Sequence, residues 1–490
     1  MSSGQIDKLK AKKICSDCVG EKYLSKEIGR EGRHGKCSYC DETGKCYRLG
    51  ELSERIETAF EQHYTRTSDQ PDSWEYSLLT DREMDYEWYR HGEPVVHAIM
   101  NAADIPEEAA GDAQRILEEQ YSDYEAQKMG EETEFADGSY YEEKGASDVD
   151  WREEWESFER SLKTEARFFS RLADAHLTSV FEGIDEMTTL DGRPLIVDAG
   201  PGTNMAALYR ARAFQSNKRL EECLMRPDQQ LGSPPALLAS AGRMNARGIS
   251  VFYGANDPYV ALAEVRPPVG SQVAVARFDI IRPLRLLDLP AFSEVSSGGS
   301  VFDPEVAGRM ERAMFLRSLS QRITKPVMPD DEAFEYLATQ AVADFLATES
   351  SVPLDGIIFS SVQAAGEALN VVLFHKAARV EDIDLPNGTR VSASLGRETE
   401  DGWYRDYYIS EEVPPVKEAP ATGEPKRNLP GFEVIARTFW EDATKDWDWR
   451  QATLGINLES VEVHVIKGVT FSTEPHKVRR LRWEQRKPDF

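Results

Sequence analysis

Apolar positions along the chain change rhythm several times. Over residues 48–64, Leu49, Leu52, Ile56, Ala59 and Phe60 recur every three or four positions and predict an amphipathic helix. Over residues 151–182, Trp151, Trp155, Phe158, Leu162, Ala166, Phe169 and Leu172 keep the same step and predict one long helix whose aromatic stripe packs into a core. From about Asp191 the texture shifts to short runs rich in β-branched and aromatic residues. Strands are predicted at Leu195–Val197, Val251–Tyr253, Val273–Phe278, Leu284–Leu289, Gly356–Phe359 and Asn370–Phe374, with a helix over 332–348. Mixed short strands and helices predict an α+β domain over residues 190–385.

The flanks read differently. Residues 386–430 form an extension ending in a linker, because Pro414, Pro415, Pro420, Pro425 and Pro430 crowd its end with few large apolar residues. Residues 431–490 then predict a small appendage with one strand, Val461–Ile466, and a basic tail of Lys477, Arg479, Arg480, Arg482, Arg486 and Lys487. On the other side, residues 71–150 carry 23 Asp/Glu against 5 Lys/Arg, so they predict exposed helices and acidic loops within a helical module over 48–185.

Charge and composition narrow the function classes. The net charge is −28, and an acidic surface repels phosphate backbones, which disfavours general nucleic-acid binding. No apolar run approaches the ~20 residues of a membrane span. The lysines near the start, from Lys8 to Lys13, precede no apolar stretch, so no signal peptide is predicted. A cytoplasmic location follows, and the cysteines agree with it: five of the six lie in residues 1–47.

Cys15 and Cys18 form one Cys-x-x-Cys pair, and Cys37 and Cys40 another, with 18 residues between them. Two such knuckles can close a tetrahedral zinc site, and four thiolates leave no open position for water. The zinc is therefore expected to be structural, stapling a segment, residues 1–47, too small to hold its own core. Cys46 and Cys223 lie outside this spacing and read as small buried side chains.

Chemistry-bearing residues concentrate in the α+β half. Pro201-Gly202-Thr203 leads to Leu208-Tyr209-Arg210-Ala211-Arg212, and Gly242-Arg243-Met244-Asn245-Ala246-Arg247-Gly248 follows. Tyr253 comes eleven residues before Glu264, and Phe359-Ser360-Ser361 precedes Asn370-Val371-Val372-Leu373-Phe374. Arginine forks beside glycine turns suit a pyrophosphate. A tyrosine can stack on a heterocycle, and a carboxylate can stabilise a ribosyl cation as it forms. Such a set suits a dinucleotide whose N-glycosidic bond is to be broken; the same residue types also form ordinary surface ion pairs.

The order of these motifs, from Pro201 to about Ala378, resembles the RES domain family. That resemblance implies a mixed α/β domain related to the ADP-ribosyltransferase fold, and bacterial toxins that destroy NAD. It implies Arg210 and Arg243 on NAD, Tyr253 near the nicotinamide ribose, Glu264 as the acidic residue and Ser361, or its neighbour Ser360, as the serine. Arg243, Tyr253, Glu264 and Ser361 are then the catalytic set, and Arg210, Arg243, Tyr253 and Ser361 the residues binding NAD. The stretch 297–331 is long enough to be an insertion. The first half resembles a companion of such domains, a zinc-knuckle segment joined to a HEPN-type helical module. Some HEPN proteins are RNases with an Arg followed at short spacing by a His, a pattern that Arg90 and His97 match loosely.

The implied activity is cleavage of the nicotinamide–ribose bond of NAD, by phosphorolysis or hydrolysis. The alternatives are a protein ADP-ribosyltransferase, a non-catalytic zinc-bearing adaptor and a HEPN-type RNase. An NAD-consuming enzyme in its own cell needs restraint, so the expected partners beyond NAD are an antitoxin, as RES toxins usually have, or the N-terminal half acting on the site within the chain.

Overall fold

The computed structural model describes residues 3–81, 86–123, 128–145, 147–296, 298–364, 368–400, 402–415, 448–470 and 473–482. The chain is α+β and divides into two units. One is Met1–Leu195 with Ala291–Lys325, and the other is Ile196–Pro290 with Pro326–Phe490. Among the described residues, no helix is long and apolar enough to cross a membrane.

In the first unit, β1 (Lys13–Cys15), β2 (Arg33–Lys36) and β3 (Thr43–Arg48) form an antiparallel sheet in the order β1-β3-β2, flanked by α1 (Ser3–Ala11) and α2 (Lys22–Glu31). β3 runs straight into α3 (Leu49–His63), where the sequence predicts a helix. The Glu51 carboxylate accepts the Arg48 N–H at 2.8 Å and caps that start. Leu49, Leu52, Ile56, Ala59 and Phe60 are buried, as their spacing requires, and share one core with Ile14, Val19, Leu24 and Ile28 of the cysteine-rich segment.

The acidic stretch folds more tightly than its charge implies. It holds α4 (Ser73–Thr80), α5 (Val95–Ala103) and α6 (Glu107–Gln120), and a sheet in which β6 (Tyr140–Glu143) pairs with β4 (Tyr64–Arg66) and β5 (Glu93–Pro94). Ala98, Ile99, Ala109, Ala110, Ala113, Ile116 and Leu117 join the core just described, so α5 and α6 are core helices, and α6 turns Glu107, Glu108 and Glu119 outward.

The helix expected over 151–182 is two helices, α7 (Val149–Thr164) and α8 (Arg171–Phe181). Ser170 makes the difference: its hydroxyl accepts the Ala173 N–H at 3.2 Å and starts a new helix. Trp155, Phe158 and Leu162 are buried as expected, whereas Phe169, placed on the stripe by spacing, is 96% exposed. Trp155 and Phe158 pack with His176 of α8, and Trp155 and His176 meet Phe315 of α11 (Val306–Thr324). The stretch around α11, expected as an insertion, thus folds with the first unit.

The second unit is built on an eight-stranded sheet in the order β16-β10-β8-β9-β13-β12-β11-β7. Its strands are β7 (Ile196–Ala199), β8 (Ala207–Phe214), β9 (Phe252–Ala255), β10 (Gln272–Ile280), β11 (Leu284–Asp288), β12 (Gly356–Ser360), β13 (Leu369–Leu373) and β16 (Leu454–Val465). Neighbours are antiparallel except β11 and β12. Seven of these strands overlap predicted runs; β8 does not, because its alternating arginines mask its strand period.

Successive side chains point to opposite faces. One face, carrying Leu208, Phe252, Ala274, Ala276, Phe278 and Val371, packs on Leu220, Cys223 and Leu224 of α9 (Asn217–Met225). The other, carrying Ala211, Ala255, Val273 and Val275, packs on Val260 and Ala261 of α10 (Pro258–Glu264). The helix predicted over 332–348 is α12 (Glu332–Thr348).

Within the stretch expected as an extension, β14 (Arg390–Thr399) and β15 (Gly402–Glu412) form a hairpin. The linker prolines Pro420, Pro425 and Pro430, and the tail residues Arg486 and Lys487, lie outside the described residues. The strand expected in the C-terminal appendage begins earlier and forms the edge strand β16, antiparallel to β10.

Candidate functional site

Glu264 sits where local sequence puts it. β9 ends at Ala255, Asp257 caps the next helix by accepting the Tyr259 N–H at 2.8 Å, and Pro258 opens α10, of which Glu264 is the last residue. A carboxylate at the negative end of a helix gains nothing from the helix dipole. Its stabilisation comes from elsewhere in the sheet. Ser361 Oγ donates to Glu264 Oε1 at 2.5 Å, and Asn370 Nδ2 donates to the same oxygen at 2.8 Å. Ser361 stands one residue past β12; Ser360 ends that strand, exposed, so geometry joins Ser361 to the carboxylate. Among the described residues, no ion pair neutralises Glu264.

Tyr253 lies on the same side. In the β9–β13 register it faces Val372, and Ala255 faces Asn370, so Tyr253 and Asn370 are diagonal neighbours on one face. Its hydroxyl donates to Asn245 Oδ1 at 3.0 Å and accepts the Met244 N–H at 3.0 Å. Burial pushes the phenol up to about 12. The hydroxyl therefore anchors the Gly242–Gly248 loop. Asn245 ties that loop further by donating to the carbonyls of Ser240 and Ile249, at 2.9 and 3.1 Å. A Cβ at Gly242 would lie 2.8 Å from Tyr253 Oη, which accounts for glycine there.

Helix α12 holds the loop from the other side. Gln340 Nε2 donates to the Gly242 carbonyl at 2.8 Å and Thr339 Oγ1 to the Arg243 carbonyl at 2.5 Å. The Arg243 guanidinium lies over the Tyr336 ring, 4.9 Å from its centroid.

Arg210 is placed differently. It pairs with Ala276 on β10, so strand alternation starts it on the face opposite α10 and Glu264. Its guanidinium lies 4.8 Å over the Phe252 ring, and Nη1 is buried with no hydrogen-bond partner among the described residues. Burial, reinforced by Arg212, lowers its pKa to about 10. β8 and β9 pair only through Tyr209 and Ala255, and beyond that pair the ladder stops, beside Arg210 and Tyr253. The charge of Arg210 still reaches Tyr253, where it opposes the effect of burial. The structure thus joins Glu264 to Ser361 directly, sets Tyr253 beside them and Arg243 on the loop Tyr253 holds, and leaves Arg210 across the sheet. Asn370 is the residue that reasoning from sequence did not assign; its signal was a polar residue at the head of a buried β-branched run.

The four knuckle cysteines converge in the first unit. Cys15, Cys18, Cys37 and Cys40 have sulfurs within 4.8 Å of one another and could hold a metal ion. The Cys15–Cys40 and Cys18–Cys37 separations are 3.6 and 3.8 Å. The edge of a tetrahedron with ~2.3 Å metal–sulfur bonds is about 3.8 Å, so the set fits such an ion. Tyr39, inside the second knuckle, donates to Asp112 of α6 at 3.0 Å and ties the knuckle to the helices. Cys46 and Cys223 are buried and stand outside the cluster.

Arg90 is committed to structure. Its guanidinium forms a fork on Glu132, at 2.9 and 2.6 Å, and donates to the carbonyls of Thr67 and Gly138. His97 lies exposed on α5, and no contact between the two is present among the described residues.

Compared with known families, residues 207–392 match the RES domain. The match contains Arg210, Arg243, Tyr253, Glu264, Ser361 and Asn370. No curated protein and no solved structure matches the chain.

Proposed function

We propose that the second unit cleaves the nicotinamide–ribose bond of NAD and so acts as a toxin-like NAD-consuming enzyme. One observation carries the reading: Glu264 is a carboxylate held by two neutral donors, Ser361 and Asn370, with no cation paired to it among the described residues. A carboxylate fixed but not neutralised keeps its full charge for a positive centre that develops during reaction. The Arg210 Nη1, buried without an acceptor among the described residues, supplies the complementary signal of a cation awaiting an anion.

In this reading Arg243 holds the diphosphate and the Tyr253 side places the nicotinamide ribose, while Arg210, which starts on the opposite face, contributes its charge through the break between β8 and β9. The C1′–N1 bond breaks with its electron pair going to the pyridinium nitrogen, which leaves as neutral nicotinamide. The ribosyl cation left behind lies against Glu264, with Ser361 orienting the carboxylate. An oxygen of water or phosphate then bonds to C1′ and releases a proton, giving ADP-ribose or its phosphate. Transfer to a protein nucleophile uses the same first step and differs only in the acceptor.

The four-cysteine set fits zinc. It would hold the ion as a structural staple, with no catalytic part. Restraint of the activity falls to an antitoxin partner or to the first unit. The family match and the carboxylate geometry support the proposal, and replacing Glu264 by Gln tests it. Nicotinamide release from NAD should fall at least a hundredfold with the fold intact, and undiminished release would remove Glu264 from the role given to it.

A further inference from the structure

Both donors to Glu264 bind the same oxygen. Ser361 Oγ and Asn370 Nδ2 meet Oε1, at 2.5 and 2.8 Å, and Oε2 takes no hydrogen bond among the described residues. The two donors are held with unequal firmness. Ser361 stands just past the end of β12, whereas Asn370 lies within β13, between Ala255 of β9 and Phe359 of β12 in register. Asn370 is 6% exposed and is followed by the buried Val371, Val372 and Leu373. An amide in such surroundings is costly unless its donor is used, and the acceptor it meets is Glu264.

We infer that Asn370 is a positioning residue: it pins Oε1 of Glu264 so that Oε2 is the oxygen presented to the ribosyl cation. The inference rests on the role proposed above for Glu264. An amide suits this task better than an arginine or lysine. It fixes the carboxylate while leaving its charge unneutralised, whereas a cation would pair with it and weaken its hold on a positive transition state. An apolar residue would leave the carboxylate held by Ser361 alone, from the end of a strand, and less firmly fixed about its last torsion.

The test uses the full chain. Asn370→Ala should lower kcat for nicotinamide release roughly tenfold or more, with KM nearly unchanged, because the contact serves the transition state more than substrate binding. Asn370→Asp places a second carboxyl against Glu264, so the acid limb of the pH–rate profile should move to higher pH by about a unit or more. A substrate-free measurement separates this inference from the reading it rests on. The side-chain amide NMR signals of Asn370, assigned by their loss in Asn370→Ala, should shift when Glu264 is replaced by Gln. Wild-type kcat in Asn370→Ala, or an unmoved profile in Asn370→Asp, overturns the inference. Amide signals indifferent to Glu264 overturn it as well, whether or not NAD is consumed. If NAD is left intact by the wild-type protein but the amide signals respond, the pin stands and the proposed reaction falls.

Discussion

Ser361 and Glu264, 97 positions apart in the chain, are joined by a 2.5 Å hydrogen bond from the serine hydroxyl to the carboxylate. Neither residue makes a site alone. Ser361 depends on the end of β12 and Glu264 on the end of α10, and the sheet brings the two ends together through β13. Chemistry here is a product of topology, and the predictions below follow from particular contacts in it.

In the proposed reading Arg210 trades stability for binding. Its guanidinium is buried, with Nη1 lacking an acceptor among the described residues, and burial depresses its pKa to about 10. Replacing it by Met removes an uncompensated charge and keeps the contact with the Phe252 ring. The expected outcome is a rise in stability on the order of 1 kcal/mol, read as a higher Tm, with NAD affinity lowered at least tenfold. Calorimetric unfolding and NAD titration check both; a less stable variant with unchanged affinity contradicts this account of Arg210.

The cysteine cluster should carry one metal ion per chain. Cys15→Ser or Cys37→Ser should remove bound zinc, measured by elemental analysis, and lower the unfolding temperature of the first unit. Cys46→Ala and Cys223→Ala should leave the metal content unchanged, since both thiols lie outside the cluster. Equal loss of metal in all four variants would contradict the assignment of ligands.

Stability should fall in mild acid because of two buried histidines in the first unit. Burial holds both His63 and His176 below the ordinary imidazole value, against the smaller opposing effects of Glu143 and Glu154 respectively. The unfolded chain takes up protons near pH ~6.5, where the folded chain still refuses them. The stability from neutral burial is therefore complete above about 6.5 and drains away as pH falls below it. Tm measured from pH 7.5 to 5.5 should decline, and His176→Leu, set among Trp155, Phe158 and Phe315, should flatten part of that decline. An unchanged slope in the variant would remove His176 from this explanation.

Periodic signals were legible where one physical demand acted alone. α3, α12 and most strands of the large sheet fell where spacing placed them, and the two Cys-x-x-Cys pairs converged as spacing required. Legibility failed where two demands overlapped. In the aromatic stripe, Ser170 interrupts with a cap, and side-chain period alone does not register a cap. In β8, Arg210 and Arg212 replace the apolar residues that mark a strand. The place of β16 depended on a pairing with β10 some 180 residues earlier, which local pattern does not encode. At the candidate site, Arg210, Arg243, Tyr253, Glu264 and Ser361 are assigned through resemblance to the RES family. Their grouping was not legible: strand alternation separates Arg210 from Glu264, and β13 adds Asn370.

The most direct test is to incubate the purified full-length protein with NAD, with and without phosphate, and to resolve the products by mass. The account predicts nicotinamide released in step with NAD loss, and ADP-ribose or its phosphate as the other product. NAD left intact, or nicotinamide release with the ADP-ribose recovered on protein, would contradict it.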